Sequence, residues 1–322
     1  MILASIPNSL EVLDHIRLNF SEAGIQTLNI ALAFIMFGIA LDINFSHFKL
    51  VLTKPKSVLT GFFTQFVLLP VFTFLLVIVL NLSATVALGM ILVAACPGGN
   101  ISNFMSSGAK GNVALSITLT AIATVGAIFL TPLNFSLWGD LYIQHQNQGA
   151  EELLRPIVID ELQVFKTVFL LLGLPVIAGI VMSSKFPGLT QKIKKPIKII
   201  SIVFFIALVF VLLSANFDFF KKYIHLIFLI VLIHNALALS IGYFTSSVLK
   251  LPRRDRRSIT IETGIQNSGL ALALMFNPKI FPPDMALGGM TIIAAWWGIW
   301  HIISGLLIVT FWSRKKIIVD EA

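Results

Sequence analysis

The chain has 322 residues, of which 57% are hydrophobic and only 12% charged, with 27 Phe and a formal net charge of +8. This balance excludes a soluble globular chain and describes an all-α polytopic membrane protein. The positive charge is spread over alternate loops rather than gathered on one soluble face, so it is no sign of nucleic-acid binding, and the single cysteine, Cys96, excludes an internal disulfide.

Residues 1–26 have no basic start, no continuous apolar core and no small-residue cleavage site, so they do not read as a signal peptide. Leu10, Leu13, Ile16 and Phe20 share one helical face, with Glu11, Asp14 and Arg17 elsewhere, which suits a short helix in the membrane interface. A loosely ordered tail fits this segment equally well. Nine stretches then follow that are long and apolar enough for a hydrocarbon core: 28–45, 57–80, 84–109, 112–138, 162–183, 196–215, 223–249, 257–277 and 286–312. They divide the chain into an outer segment 1–26, a first repeat 27–138, an external loop 139–161, a second repeat 162–313 and a cytoplasmic tail 314–322.

Cations set the orientation. Lys49, Lys54 and Lys56 follow the first stretch, Lys110 the third, and Lys185, Lys192, Lys194, Lys195 and Lys198 the fifth; Lys250, Arg253, Arg254, Arg256 and Arg257 lie after the seventh, and Arg314, Lys315 and Lys316 after the ninth. The opposite loops hold few cations, and the longest is acidic, with Asp140, Glu151, Glu152, Asp160 and Glu161. The positive-inside rule therefore puts the amino terminus outside and the carboxyl terminus in the cytoplasm of an inner or plasma membrane.

Two of the nine stretches are interrupted. "ACPGGNISNF", residues 95–104, sets Pro97, Gly98 and Gly99 where a spanning helix should run unbroken, followed by Asn100, Ser102 and Asn103. Proline removes an N–H and glycine frees the backbone, so a break is expected, and in lipid a break survives only inside protein or beside a wet cavity. "IETGIQNSGLAL", residues 261–272, repeats the device with Gly264 and Gly269 and adds Glu262, Thr263, Gln266, Asn267 and Ser268. A carboxylate at that depth costs several kcal/mol unless it is paired, hydrated or protonated, which makes Glu262 the sharpest residue of the chain. The breaks lie an odd number of spans apart, so their helices cross the membrane in opposite senses, as an inverted-topology repeat with a midplane site requires.

Neighbouring stretches add oxygen. Ser116 and Thr120 share a helix face, although both residue types also bond back to their own helix carbonyls. Gln65 is an amide in mid-span that needs partners at both ends. His234 and Asn235 fit packed, hydrogen-bonded core positions; His301 fits either a core or a site position, and Asp42 lies near headgroup water.

"CPGGNISNFMSSGAKGNVALSITLT", "ETGIQNSGLALAL" and "WHIISGLL" resemble, in order, segments of the bile acid:sodium symporter family, and the similarity in span order runs from about residue 28 to 312. The resemblance implies a panel domain and a core domain, discontinuous crossover helices, and sodium-coupled uptake of an organic anion by alternating access. It implies one Na+ site at Ser102, Asn103, Ser116, Thr120 and Glu262, and another at Gln65, Glu262 and Gln266 with the carbonyls of Thr263 and Ile265. Oxygen cages of this kind suit a hard cation. Many bacterial relatives have ten spans, whereas the polar 1–26 segment leaves a nine-span layout here.

The half-helix after Gly99 offers free N–H groups to a carboxylate, so Asn100, Ser102, Asn267 and His301 are expected to line an anion pocket. The substrate class stays open among bile-acid-like anions and small carboxylates such as pantoate or pyruvate, and no cofactor is expected beyond Na+ as coupling ion. A proton carried by Glu262 is the alternative driver. The hydrolase Gly-x-Ser-x-Gly, the zinc His-Glu-x-x-His and a paired catalytic Asp are lacking within the membrane stretches, which argues against an intramembrane enzyme. A receptor that binds without translocating is the remaining alternative.

Overall fold

The computed structural model describes residues 10–15, 22–43, 52–99, 101–147, 160–215, 217–277, 280–281 and 285–315. Among these residues the fold is all helical, and the one strand-type pairing is an isolated antiparallel bridge between Gly98 and Gln266. The helices are α1 (Glu22–Ala40), α2 (Pro55–Val79), α3 (Ala84–Ala95), α4 (Ile101–Gly108), α5 (Val113–Asn147), α6 (Glu161–Lys185), α7 (Pro187–Ala215), α8 (Phe217–Val248), α9 (Arg253–Gly264), α10 (Ser268–Met275) and α11 (Gly288–Arg314). Five segments are long and apolar enough to cross a membrane: α2, α5, α6, the Ile227–Val248 part of α8, and α11. Within α1, Asn29–Ala40 forms a shorter apolar helix, as does α3.

Packing sorts the helices into two groups. α1, α6 and α7 lie against one another, while α2–α5 and α8–α11 pack among themselves. The groups meet where α5 touches α6, where α7 touches α8, and where the short α10 touches α1 and α6. α3, α9 and α10 are the most deeply enclosed helices, and every residue of α3 is buried.

Two prolines leave a visible mark. A π-helical turn at Thr64–Leu68 in α2 and another at Phe169–Gly173 in α6 each run into a Leu-Pro pair. The wider turn carries the Leu69 N–H back to the carbonyl of Thr64 instead of the usual partner. Pro70 cannot donate to the carbonyl of Phe66. Asn134 of α5 does so instead, its Nδ2 reaching that oxygen at 3.1 Å.

Two elements extend what the sequence suggested. α5 continues to Asn147, so the start of the expected external loop 139–161 is helical. The extension is fastened by the Tyr142 hydroxyl and Gln146 Nε2, which both donate to the carbonyl of Leu82, the latter at 3.1 Å. In the described part of the amino-terminal segment, a 3-10 turn at Glu11–His15 packs on α3 and α11 with Leu10 and Leu13 fully buried, so the apolar face meets protein. Asp14 caps α3, accepting the N–H of Thr85 at 3.0 Å and of Ala84 at 3.2 Å together with the Thr85 hydroxyl at 2.5 Å. Ile16, Arg17 and Phe20 lie outside the described residues.

Candidate functional site

Each expected break falls between two helices, α3/α4 on one side and α9/α10 on the other, and the two breaks are bonded to each other. The Gly99 N–H donates to the carbonyl of Ile265 and the Asn267 N–H to the carbonyl of Pro97, both at 2.8 Å. In unbroken helices those N–H groups would have gone four residues back, to Ala95 and Thr263. Both abandoned carbonyls are repaired. Thr131 Oγ1 donates to the Ala95 oxygen and Gln266 Nε2 to the Thr263 oxygen, each at 2.7 Å, and Asn235 Nδ2 serves the carbonyl of Gly264 at 2.8 Å. With no water in the membrane interior, an unpaired backbone group costs several kcal/mol, so these side chains are what permits the break at this depth.

Glu262, 1% exposed, is the last acidic residue before the second break. Its Oε2 accepts from Ser102 Oγ at 2.6 Å and lies 3.2 Å from Ser116 Oγ, while Oε1 is 2.7 Å from Thr120 Oγ1. Asn103 Oδ1 completes the group, 2.8 Å from Ser116 Oγ and 3.2 Å from Thr120 Oγ1, and Thr120 Oγ1 is also 3.0 Å from its own helix carbonyl at Ser116. α4 supplies Ser102 and Asn103, α5 supplies Ser116 and Thr120, and α9 supplies the carboxylate. Three hydroxyl hydrogens face six oxygen–oxygen approaches of 2.6–3.2 Å. The cluster is thus short of hydrogens and rich in lone pairs, and among the described residues no cationic side chain pairs with Glu262. A hard cation answers that imbalance, because it satisfies several oxygens at once and neutralises the carboxylate.

The second expected set sits beside the first. A Cβ on Gly98 would stand 2.6 Å from Glu262 Oε1 and 3.4 Å from Gln65 Oε1, so both oxygens converge on a position only glycine leaves open. Gln65, placed by the π turn of α2, donates through Nε2 to Gln266 Oε1 at 3.2 Å. The two carbonyls expected here are partly committed: Thr263 O accepts from Gln266 Nε2, and Ile265 O accepts from Gly99. Thr64 Oγ1, which the sequence did not single out, stands 2.9 Å from Thr263 Oγ1 at the edge of this set.

Among the described residues expected at the anion pocket, Ser102 belongs to the oxygen cluster, while Asn267 and His301 have other surroundings. Asn267 Oδ1 caps α10 by accepting from the Leu270 N–H at 3.0 Å, and its Nδ2 turns to Met36 Sδ of α1 at 3.9 Å, on the boundary between the two helix groups. His301 is buried on α11, with no partner at Nδ1, on the face where Gly298 meets Ser268 and Gly305 meets Met105 and Ile265. Asn100 lies outside the described residues. His234 has a packing role: Nε2 pairs with Thr73 Oγ1 at 2.8 Å and the ring lies 4.5 Å from that of Trp297. Asp42 is half-exposed and meets Lys194 at 3.7 Å.

Five helices long and apolar enough to span, two mutually bonded interruptions and a buried oxygen cluster define a polytopic membrane protein with a polar centre inside its helices. Comparison with known proteins makes the assignment narrower. The chain belongs to the Sodium Bile acid symporter family, whose profile matches residues 29–223. It is 33% identical to the uncharacterized sodium-dependent transporter YocS of Bacillus subtilis (strain 168), over 89% of this chain and 83% of that one. It is 31% identical to the "Probable sodium/metabolite cotransporter BASS2, chloroplastic" of Oryza sativa subsp. japonica, over 83% of this chain but 63% of that longer protein. It is 29% identical to the hepatic sodium/bile acid cotransporter of Rattus norvegicus, over 88% of this chain and 75% of the other. The chain is therefore an integral membrane protein of a transporter family rather than an enzyme.

Proposed function

We propose that the chain carries an organic anion across the membrane in symport with sodium, by alternating access. The observation that carries this reading is the hydrogen deficit around Glu262: six short oxygen–oxygen approaches share three hydroxyl hydrogens, and a bound Na+ would relieve the rest. Na+ at Ser102, Asn103, Ser116, Thr120 and Glu262 would draw together α4, α5 and α9. A second Na+ would use Glu262, Gln65 and Gln266 with the remaining lone pairs of the Thr263 and Ile265 carbonyls. Both sites share one carboxylate, so each ion favours the geometry the other needs.

In this reading α1, α6 and α7 form the panel and the other helices the core, nine spans in two inverted repeats with the amino terminus outside. The anion, recognised by its carboxylate, docks where the core meets the panel: near the N-terminal end of α4, with Asn100 and Ser102, and near Asn267, whose amide already faces α1. His301 lies behind that point on α11. The names of the rat and rice relatives, a sodium/bile acid and a probable sodium/metabolite cotransporter, support a bile-acid-like or other metabolite substrate.

The test is sodium-dependent uptake of candidate anions, bile salts and small hydroxy acids among them, into vesicles. Glu262→Ala should reduce uptake to the background of empty vesicles, and uptake equal to wild type would remove the reading. Uptake that follows a pH gradient and ignores sodium would assign the proton to Glu262 instead.

A further inference from the structure

A second polar assembly lies at the end of the bundle that carries Lys110, Lys250 and the arginines of α9, and it shares helices with the oxygen cluster. Asp255, in the first turn of α9, is 2% exposed. Its Oδ2 accepts from Ser57 Oγ of α2 at 2.6 Å, and its Oδ1 accepts from Asn112 Nδ2, in the corner between α4 and α5, at 2.7 Å. Asn112 is held on every polar atom. Its Oδ1 caps α5 at the Leu115 N–H (3.1 Å), its own N–H donates to Arg254 O (3.1 Å), and its carbonyl accepts from Ser258 Oγ (2.9 Å). Gly111 beside it is pressed to Ser258, where a Cβ would stand 2.6 Å from the hydroxyl oxygen. Arg257 closes the knot by donating to the carbonyl of Ala109 just past α4 (2.6 Å) and to that of Trp312 near the end of α11 (3.2 Å), with its guanidinium over the Trp312 ring.

The register connects this knot to the oxygen cluster. Glu262 follows Asp255 by seven residues, two turns along the same face of α9, and Ser116 follows Asn112 by one turn of α5. α4, which carries Ser102 and Asn103, spans only the short distance between the crossing and the corner. The α4–α5 hairpin is thus pinned to α9 at two levels, by the oxygen cluster and by the knot. The oxygen cluster binds α9 through hydroxyl hydrogens that a cation would redirect, whereas the knot holds α9 against α4 and α5 by bonds that no cation needs to disturb.

We infer that Asp255, through Asn112 and Ser57, is a positioning residue for sodium: it holds α9 in register with the α4–α5 hairpin and thereby sets the affinity of the Glu262 cluster. This rests on the sodium-coupled reading above. Asp255→Asn tests it: the Asn112 amide, fixed by its cap on Leu115, takes the oxygen of the new amide and leaves its NH2 to donate to Ser57 Oγ, so both contacts persist but lose the charge that strengthens them. Adding Asn112→Asp to Asp255→Asn returns a carboxylate to the bond between positions 112 and 255, now on the other helix, and still caps Leu115.

The experiment is a sodium titration of the thermal stability of the purified full-length protein, with potassium replacing sodium at constant ionic strength. It reads the midpoint of the sodium dependence separately from the melting temperature in potassium alone. Asp255→Asn should raise the midpoint about tenfold, the scale of the charge assistance removed from its hydrogen bonds, and the paired exchange should bring it back toward wild type. Tyr142→Phe, which removes the bond to Leu82 at the far end of α5, should lower the melting temperature and leave the midpoint unchanged. An Asp255→Asn protein that melts earlier but keeps the wild-type midpoint overturns the inference while leaving the sodium reading intact. If Asp255→Asn cannot be purified, Ser57→Ala carries the test: a raised midpoint supports the inference and an unchanged one overturns it. A wild-type protein indifferent to sodium overturns both.

Discussion

The two oxygen sets around Glu262 are built from different chemistry. The first is a carboxylate with three hydroxyls and one amide oxygen, drawn from three helices and short of hydrogens. The second is made of two glutamine amides that bond each other and of carbonyls already engaged, one by Gln266 itself and one by the crossing bond from Gly99. A cation entering the first would take over oxygens that now share hydroxyl hydrogens, whereas in the second it would meet carbonyls that each already accept one hydrogen bond and offer only a remaining lone pair. In the proposed reading the difference orders the sites: the first set is already gathered around the carboxylate, and the second gains freedom as the Gln266 side chain gives way. In this account, filling the first site makes the second easier to fill, which is positive coupling between ions.

The largest disruption of that comparison should come from Gly98, the position shared by both sets. Gly98→Ala drives a methyl to within 2.6 Å of Glu262 Oε1, so either the carboxylate or the crossing must move. It should abolish sodium-dependent uptake while the protein still reaches the membrane, as surface labelling can check. Next, single substitutions should separate the sets. Ser116→Ala should weaken sodium dependence about tenfold, since it removes an oxygen from the charged cluster, whereas Gln266→Ala should lower the steepness of the sodium response toward one ion per cycle. Both are read from initial uptake rates against sodium concentration; equal effects on midpoint and steepness for the two variants would abolish the distinction. The smallest effect should come from Asp14→Ala, which strips the cap from α3. It should cost about 1–2 kcal/mol of stability, the usual scale for a lost N-cap, with the sodium midpoint unaltered.

Much of the arrangement could be read in the residues. Pro97-Gly98-Gly99 and the polar run after Glu262 announced interruptions, because few sequences place such groups in a spanning stretch without a reason in the backbone. The grouping of Ser102, Asn103, Ser116, Thr120 and Glu262 came from resemblance to a family; spacing by itself paired only Ser116 with Thr120. What the sequence hid was the repair work. Thr131 serves Ala95 across 36 residues, Asn235 serves Gly264 across 29, and Asn134 serves Phe66 across 68. A threonine or asparagine in an apolar helix looks the same whether it bonds its own turn or a distant carbonyl, and only the fold decides. Asp255 was hidden for a similar reason: among four arginines it reads as part of a solvated charge run, yet it is buried on neutral donors. Asp14 likewise looked like the polar face of a surface helix until α3 needed its N-terminus capped.

The most direct test of the central claim is equilibrium binding of radioactive sodium to the purified protein, wild type against Glu262→Gln, at fixed ionic strength in potassium. Glu262→Gln keeps the shape of the side chain but removes its charge. The account predicts saturable sodium binding to wild type that exceeds one ion per chain, and loss of that binding in the variant. Equal saturable binding in both proteins would contradict it, since the cation would then be held somewhere other than the Glu262 cluster.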